Sequence, residues 1–223
     1  MEFDQARAVV DELPGPHIRA HRGRMLYDHI RQWRPNRVLE LGTARGGSAV
    51  FIAAALRANG AGRLTSVDSC RREWKEPSAQ ETLERADLTD LVVLDRSFST
   101  YTWFLKVQLE RSLNNGGDLA SAYDLIFLDG AKEWSVDGLA VVLAERLLAP
   151  GGWLVMDDLG WNYEEHSYGP RHYEVEISGL SETERRTPHL RAVFDLLVKT
   201  NPAFTRVIDE DGWWGWAQKK EAS

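Results

Sequence analysis

Cysteine is almost missing from this chain: Cys70 is the one cysteine among 223 residues. That excludes an intrachain disulfide and any cysteine-based zinc cluster. Long apolar runs are missing too. The stretch from Ala49 to Leu56 is far shorter than the roughly 20 residues a membrane helix needs. The N-terminus carries Glu2 and Asp4 and lacks a basic flank followed by an apolar stretch, so no signal peptide is expected and the cytoplasm is the default location. Positive charge is scarce, with 27 basic residues against 34 acidic ones and a net charge of −7. Affinity for phosphates needs a basic surface, which argues against a nucleic-acid partner. The cluster Arg19, Arg22 and Arg24 reads as a solvated helix face. No internal repeat, low-complexity tract or linker breaks the chain.

What remains is a 43% hydrophobic chain of a length that suits a single α/β domain over residues 1–223. Apolar residues at Phe3, Ala6, Val10 and Leu13 have helical spacing and predict a helix over 3–13, and a second is expected over 19–33. The first either caps the core or pairs with a second copy in a homodimer. Strands are predicted at 37–41, 63–67, 91–95, 123–128 and 152–156. Helices are predicted at 47–59, 79–87, 100–113, 136–149 and 182–199. This alternation implies right-handed βαβ units around a parallel sheet. Asp211-Gly212 between two alternating runs, 203–210 and 213–219, signals a terminal hairpin.

Three acids end apolar strands: Asp129 after Asp124-Leu125-Ile126-Phe127-Leu128, and the pair Asp157-Asp158 after Trp153-Leu154-Val155-Met156. In open α/β sheets such positions face the ligand crevice. Three carboxylates there call for a divalent metal or a cationic ligand, and hard oxygen ligands suit Mg²⁺. Lys132 lies three residues beyond Asp129 and is the candidate proton acceptor. Nine tryptophans are many for this length. Some are expected in the core, while Trp134 and Trp161, near the acids, suit the walls of an aromatic site. Residues 159–180 form a long segment just past the acid pair and are expected to be a substrate lid carrying Tyr163, Tyr168 and Tyr173.

The run Glu40-Leu41-Gly42-Thr43-Ala44-Arg45-Gly46-Gly47-Ser48 follows a strand and opens a helix. It nearly fits the dinucleotide fingerprint, and Asp68 ends the next strand where a ribose-binding acid belongs. Glu40 at the strand tip would repel a pyrophosphate and favour a ligand bearing an ammonium and a sulfonium, as S-adenosylmethionine does. Ser48 and the helix N-terminus would hold that ligand's carboxylate. Ser97, just past the third strand, and Trp134 are candidates for contact with the adenine.

This first motif resembles that of class I S-adenosylmethionine-dependent methyltransferases, above all the metal-dependent O-methyltransferases of the catechol and caffeoyl-CoA type. Asp124 to Lys132 resembles their Asp-x-x-Lys segment, and Leu148 to Asp158 their later strand with its metal-ligand pair. The resemblance covers roughly residues 18–160. It implies a Rossmann-like, doubly wound seven-stranded sheet of order 3-2-1-4-5-7-6 with the last strand antiparallel. It also implies S-adenosylmethionine and Mg²⁺ as cofactors, Asp129, Asp157 and Asp158 as metal ligands, and a small acceptor with vicinal hydroxyls. The double aspartate departs from the Asp-Asn usual in the catechol type and is similar to sugar and antibiotic-tailoring O-methyltransferases, which commonly lack the lysine.

Other residues offer rival chemistries. His166, His172 or His189 would be the base in a metal-independent methyltransferase. His17 and His21 have helical metal-pair spacing but read as exposed. Cys70 reads as a small buried residue. An NAD-dependent oxidoreductase and a non-catalytic binding module are the remaining alternatives.

Overall fold

The computed structural model describes residues 1–14, 18–71, 76–114, 123–166 and 177–221. They fall into two compact units, Met1–Tyr101 and Thr102–Ser223.

The first unit holds helices α1 (Phe3–Asp11) and α2 (Ala20–Trp33), then β1 (Arg37–Leu41), α3 (Gly47–Asn59), β2 (Arg63–Val67), α4 (Ala79–Arg85) and β3 (Val92–Asp95). β2 pairs in parallel with β1 on one side and β3 on the other. α3 is buried along nearly its whole length, which explains its apolar run. α1 caps this core: Phe3 stacks on Phe51 at 5.2 Å and meets Tyr27 edge-on at 5.7 Å. Arg19 and Arg24 are exposed as expected, but Arg22 is buried, its guanidinium against the Met25 sulfur, so the basic cluster is not one solvated face. Cys70 is exposed, contrary to expectation, because it follows the strand end on a loop rather than within β2.

The second unit holds α5 (Tyr101–Asn114), β4 (Tyr123–Leu128), α6 (Trp134–Leu147), β5 (Leu148–Met156), α7 (Tyr163–His166), α8 (Glu182–Arg186), α9 (His189–Val193), a π-helical turn (Phe194–Val198), β6 (Phe204–Glu210) and β7 (Trp214–Lys219). β4 and β5 are parallel, whereas β7 runs antiparallel to both β5 and β6. Trp214 and Trp216 are fully buried, and Trp214 lies 5.5 Å from the Phe127 ring. Gly215 between them is a packing requirement, since a Cβ there would sit 2.5 Å from the Phe194 ring.

The strand order is β3-β2-β1-β4-β5-β7-β6, as the resemblance implies. One expected element fails. The single helix over 182–199 is broken into α8, α9 and the π turn, because Pro188 has no N–H to donate and forces Thr187 into an extended backbone of ψ 128°. Of the expected lid, 167–176, with Tyr168, His172 and Tyr173, lies outside the described residues, as does His17.

Candidate active site

In the first unit the glycine loop joins β1 to α3. Gly42 and Gly46 adopt φ of 107° and 83°, which side chains resist, and Ala44 between them is held at 46°. Asp68 does the holding. Its Oδ2 accepts from the Thr43 and Ala44 amides, both at 2.9 Å, and its Oδ1 from the Ser69 amide at 2.7 Å. The residue expected to meet a ribose is therefore also the brace of the loop. Glu40 is fully buried. Its two carboxylate oxygens accept from the hydroxyls of Ser48 and Ser66. Ser66 in turn is 2.6 Å from the Thr43 hydroxyl, giving a relay Thr43 to Ser66 to Glu40. Ser48 was expected to face a ligand's carboxylate; its hydroxyl is donated to Glu40 instead, because the helix start brings it onto that buried charge. Ser97 is exposed, its amide donating to Asp95 at 2.8 Å.

In the second unit, parallel pairing of β4 with β5 builds a separate cluster. Leu128 is in register with Met156, and the Asp157 amide donates to the Leu128 carbonyl at 3.0 Å. The residues that follow, Asp129 and Asp157-Asp158, are thereby neighbours. Lys132 closes the group: its Nζ lies 3.0 Å from Asp129 Oδ1 and 2.8 Å from Asp158 Oδ2. Lys132 and Asp158 both have left-handed backbones, φ 62° and 59°. The turn after Lys132 is fixed by its surroundings. The Glu133 amide donates to buried Asp137, the Trp134 amide to His189, and the Glu133 side chain caps α6. Trp134 itself is 40% exposed.

The charges shape each other. Burial alone would pull the Lys132 ammonium down, but Asp129 and Asp158 outweigh it and hold the lysine well above its ordinary value. Burial first, then repulsion from Asp129 and Asp158, pushes the Asp157 carboxyl well above the usual carboxylate range. Among the described residues, no three His, Cys, Asp or Glu side chains are arranged to hold a metal ion as they stand. Asp129 and Asp158 each spend an oxygen on Lys132, and Asp157 spends one on the Asp158 amide at 2.6 Å.

The histidines and aromatic residues sort differently from expectation. His189 is buried, with one ring nitrogen accepting from the Trp134 amide and the other bonded to the Glu184 carbonyl, so it braces rather than acts as a base. Trp161 and Tyr163 are buried against each other, 4.8 Å apart, and form core rather than wall. Trp213, which the sequence did not single out, stands beside the acid pair through its carbonyl, which accepts from the Leu159 amide. Its ring is 37% exposed and meets His166 edge-on at 5.5 Å.

The family described as "Methyltransferase domain" matches residues 39–159, a span that begins on β1 and ends just past the acid pair. The chain belongs to that family. No curated protein sequence matches it. Among solved structures it is similar to an O-methyltransferase from Bacillus cereus in complex with SAH, at 20% identity and TM-score 0.65, covering 99% of this chain and 92% of that one. It is likewise similar to TomG of Streptomyces achromogenes, an O-methyltransferase involved in tomaymycin synthesis and solved with SAM. There the identity is 21% and the TM-score 0.64, over 98% and 89% of the two chains. A third is the SAH-bound methyltransferase PaMTH1 of Podospora anserina, 18% identical with TM-score 0.64 over 98% and 87%. At such identities the likeness speaks for the fold, and this methyltransferase shares it.

Proposed function

We propose that this methyltransferase is an S-adenosylmethionine-dependent O-methyltransferase, assisted by Mg²⁺, whose acceptor is a small molecule with vicinal hydroxyls. The observation that carries the reading is the cluster of three carboxylates around a single ammonium. Lys132 bridges Asp129 and Asp158, Asp157 is buried beside them, and the hard oxygen donors of this set suit a hard dication.

In the first unit Glu40 would receive the methionine ammonium. Its buried carboxylate, which accepts from Ser48 and Ser66, supplies the negative charge that an ammonium seeks. Asp68 has capacity for a ribose hydroxyl while bracing the loop of Gly42, Thr43, Ala44 and Gly46. Ser97 and Trp134 are the candidates for the adenine. Bound there, S-adenosylmethionine supplies an electrophilic methyl group. In the second unit Asp129, Asp157 and Asp158 would hold Mg²⁺, a Lewis acid that favours the ionised form of a hydroxyl. Lys132 is held as an ammonium, so as it stands it orients an acceptor oxygen as a hydrogen-bond donor; to act as the base it would first have to leave its two carboxylates and give up a proton to solvent. Exposed Trp213 and Trp134 offer ring faces to a phenolic or catecholic acceptor.

Methyl transfer from labelled S-adenosylmethionine to a catechol panel tests this. Activity that vanishes in chelator and returns with Mg²⁺ is the expected result. Full turnover in excess chelator would remove the metal from the reading, and failure to bind S-adenosylmethionine would remove the donor.

A further inference from the structure

We infer that Lys132 is a built-in rival for the divalent cation: it holds the two carboxylates on which the ion would draw, and the ion binds only as the lysine withdraws. This rests on the Mg²⁺ reading above. Lys132 Nζ is bonded to Asp129 at 3.0 Å and to Asp158 at 2.8 Å, and its side chain is only 18% exposed. Asp129 and Asp158 are themselves about three-quarters shielded, with side-chain exposures of 24% and 26%. A dication at about 2.1 Å from the same oxygens would meet the ammonium inside its own coordination shell. Two cations that close repel strongly in a shielded site, so one must leave. The lysine is able to leave, because its stem is long and flexible while the aspartates are short. Its backbone is not: φ of 62° is fixed by the bonds of Glu133 and Trp134 that follow. The tether keeps the displaced ammonium beside the site.

The consequence is reciprocal: the lysine weakens the ion, and the ion frees the lysine. Calorimetric titration of Mg²⁺ into the wild type, Lys132→Gln and Lys132→Arg reads the first half. Lys132→Gln is expected to bind Mg²⁺ at least tenfold more tightly than the wild type, while Lys132→Arg, which keeps the charge, does not. Equal or weaker binding by Lys132→Gln overturns the inference and leaves the metal reading standing. If none of the three proteins binds Mg²⁺, both readings fall. The second half needs no variant. Acetylation of Lys132 in the wild type, followed by mass spectrometry, is expected to rise severalfold when Mg²⁺ is added. Labelling that is unchanged or falls would mean that the ammonium stays in place, which contradicts displacement.

Discussion

The acids of the first unit and those of the second are neutralised in opposite ways. Glu40 accepts from the hydroxyls of Ser48 and Ser66, and Asp68 from the amides of Thr43, Ala44 and Ser69. Asp129 and Asp158 are bridged by the Lys132 ammonium, and burial followed by repulsion from both pushes the Asp157 carboxyl up. Hydrogen-bonded carboxylates make a rigid cradle that changes little when a ligand arrives. Charge-coupled ones make a site whose geometry and protonation follow the ions present. The contrast matches the two tasks proposed, holding a large organic donor and gathering an acceptor with its metal.

The largest break in this contrast is Asp68→Ala. Three loop amides lose their acceptor, and at about 1–3 kcal/mol for each unsatisfied group the loss is expected to reach several kcal/mol. Urea denaturation measures it; a change below about 1 kcal/mol would show that the loop holds itself. Next is Glu40→Gln, which removes the charge but keeps the shape. Calorimetry with S-adenosylhomocysteine is expected to show affinity lowered about 10–100-fold, the worth of a charge-assisted bond; unchanged affinity would place the amino-acid end elsewhere. The second unit should respond with the opposite sign. Asp157→Asn removes an acid whose ionisation is disfavoured by burial and by its acidic neighbours and keeps the acceptor for the Asp158 amide, so stability is expected to rise by about 1 kcal/mol while methyl transfer is lost. A destabilised variant would mean that the cluster is balanced after all.

The smallest effect lies away from both sites. Arg191, bonded to Asp209, holds that carboxyl below the usual range. An acid depressed on folding contributes stability that is full above its unfolded value of about 3.9 and fades as pH falls through the folded one. Asp209→Asn is therefore expected to cost less than about 1 kcal/mol at neutral pH, the pair being partly exposed. The difference from wild type should close in strong acid. A gap that persists there would mean that the bond geometry matters rather than the charge.

Much of this was legible in the chain. Apolar runs ending in Glu40, Asp68, Asp129 and Asp157 located the strands and their tips, because period and punctuation are local. The partnerships were not legible. Nothing local says that Ser66 donates to Glu40; the two are in register across β1 and β2, and only the pairing reveals it. A hydroxyl in a strand this apolar was the available clue, since a buried hydroxyl needs a partner. Lys132 bridging to Asp158 and Trp213 reaching Leu159 likewise depend on long-range packing. Pro188 was a local signal, and the helical spacing on either side of it masked the break.

β7 inserts between β5 and β6, with Gly215 opposite Met156, one step from the acid pair. On a ribosome β7 emerges after both β5 and β6, so β5 waits with one hydrogen-bonding edge bare until β7 arrives. The nascent chain therefore passes through a stage in which sticking to its neighbours competes with closing the sheet beside the acid pair.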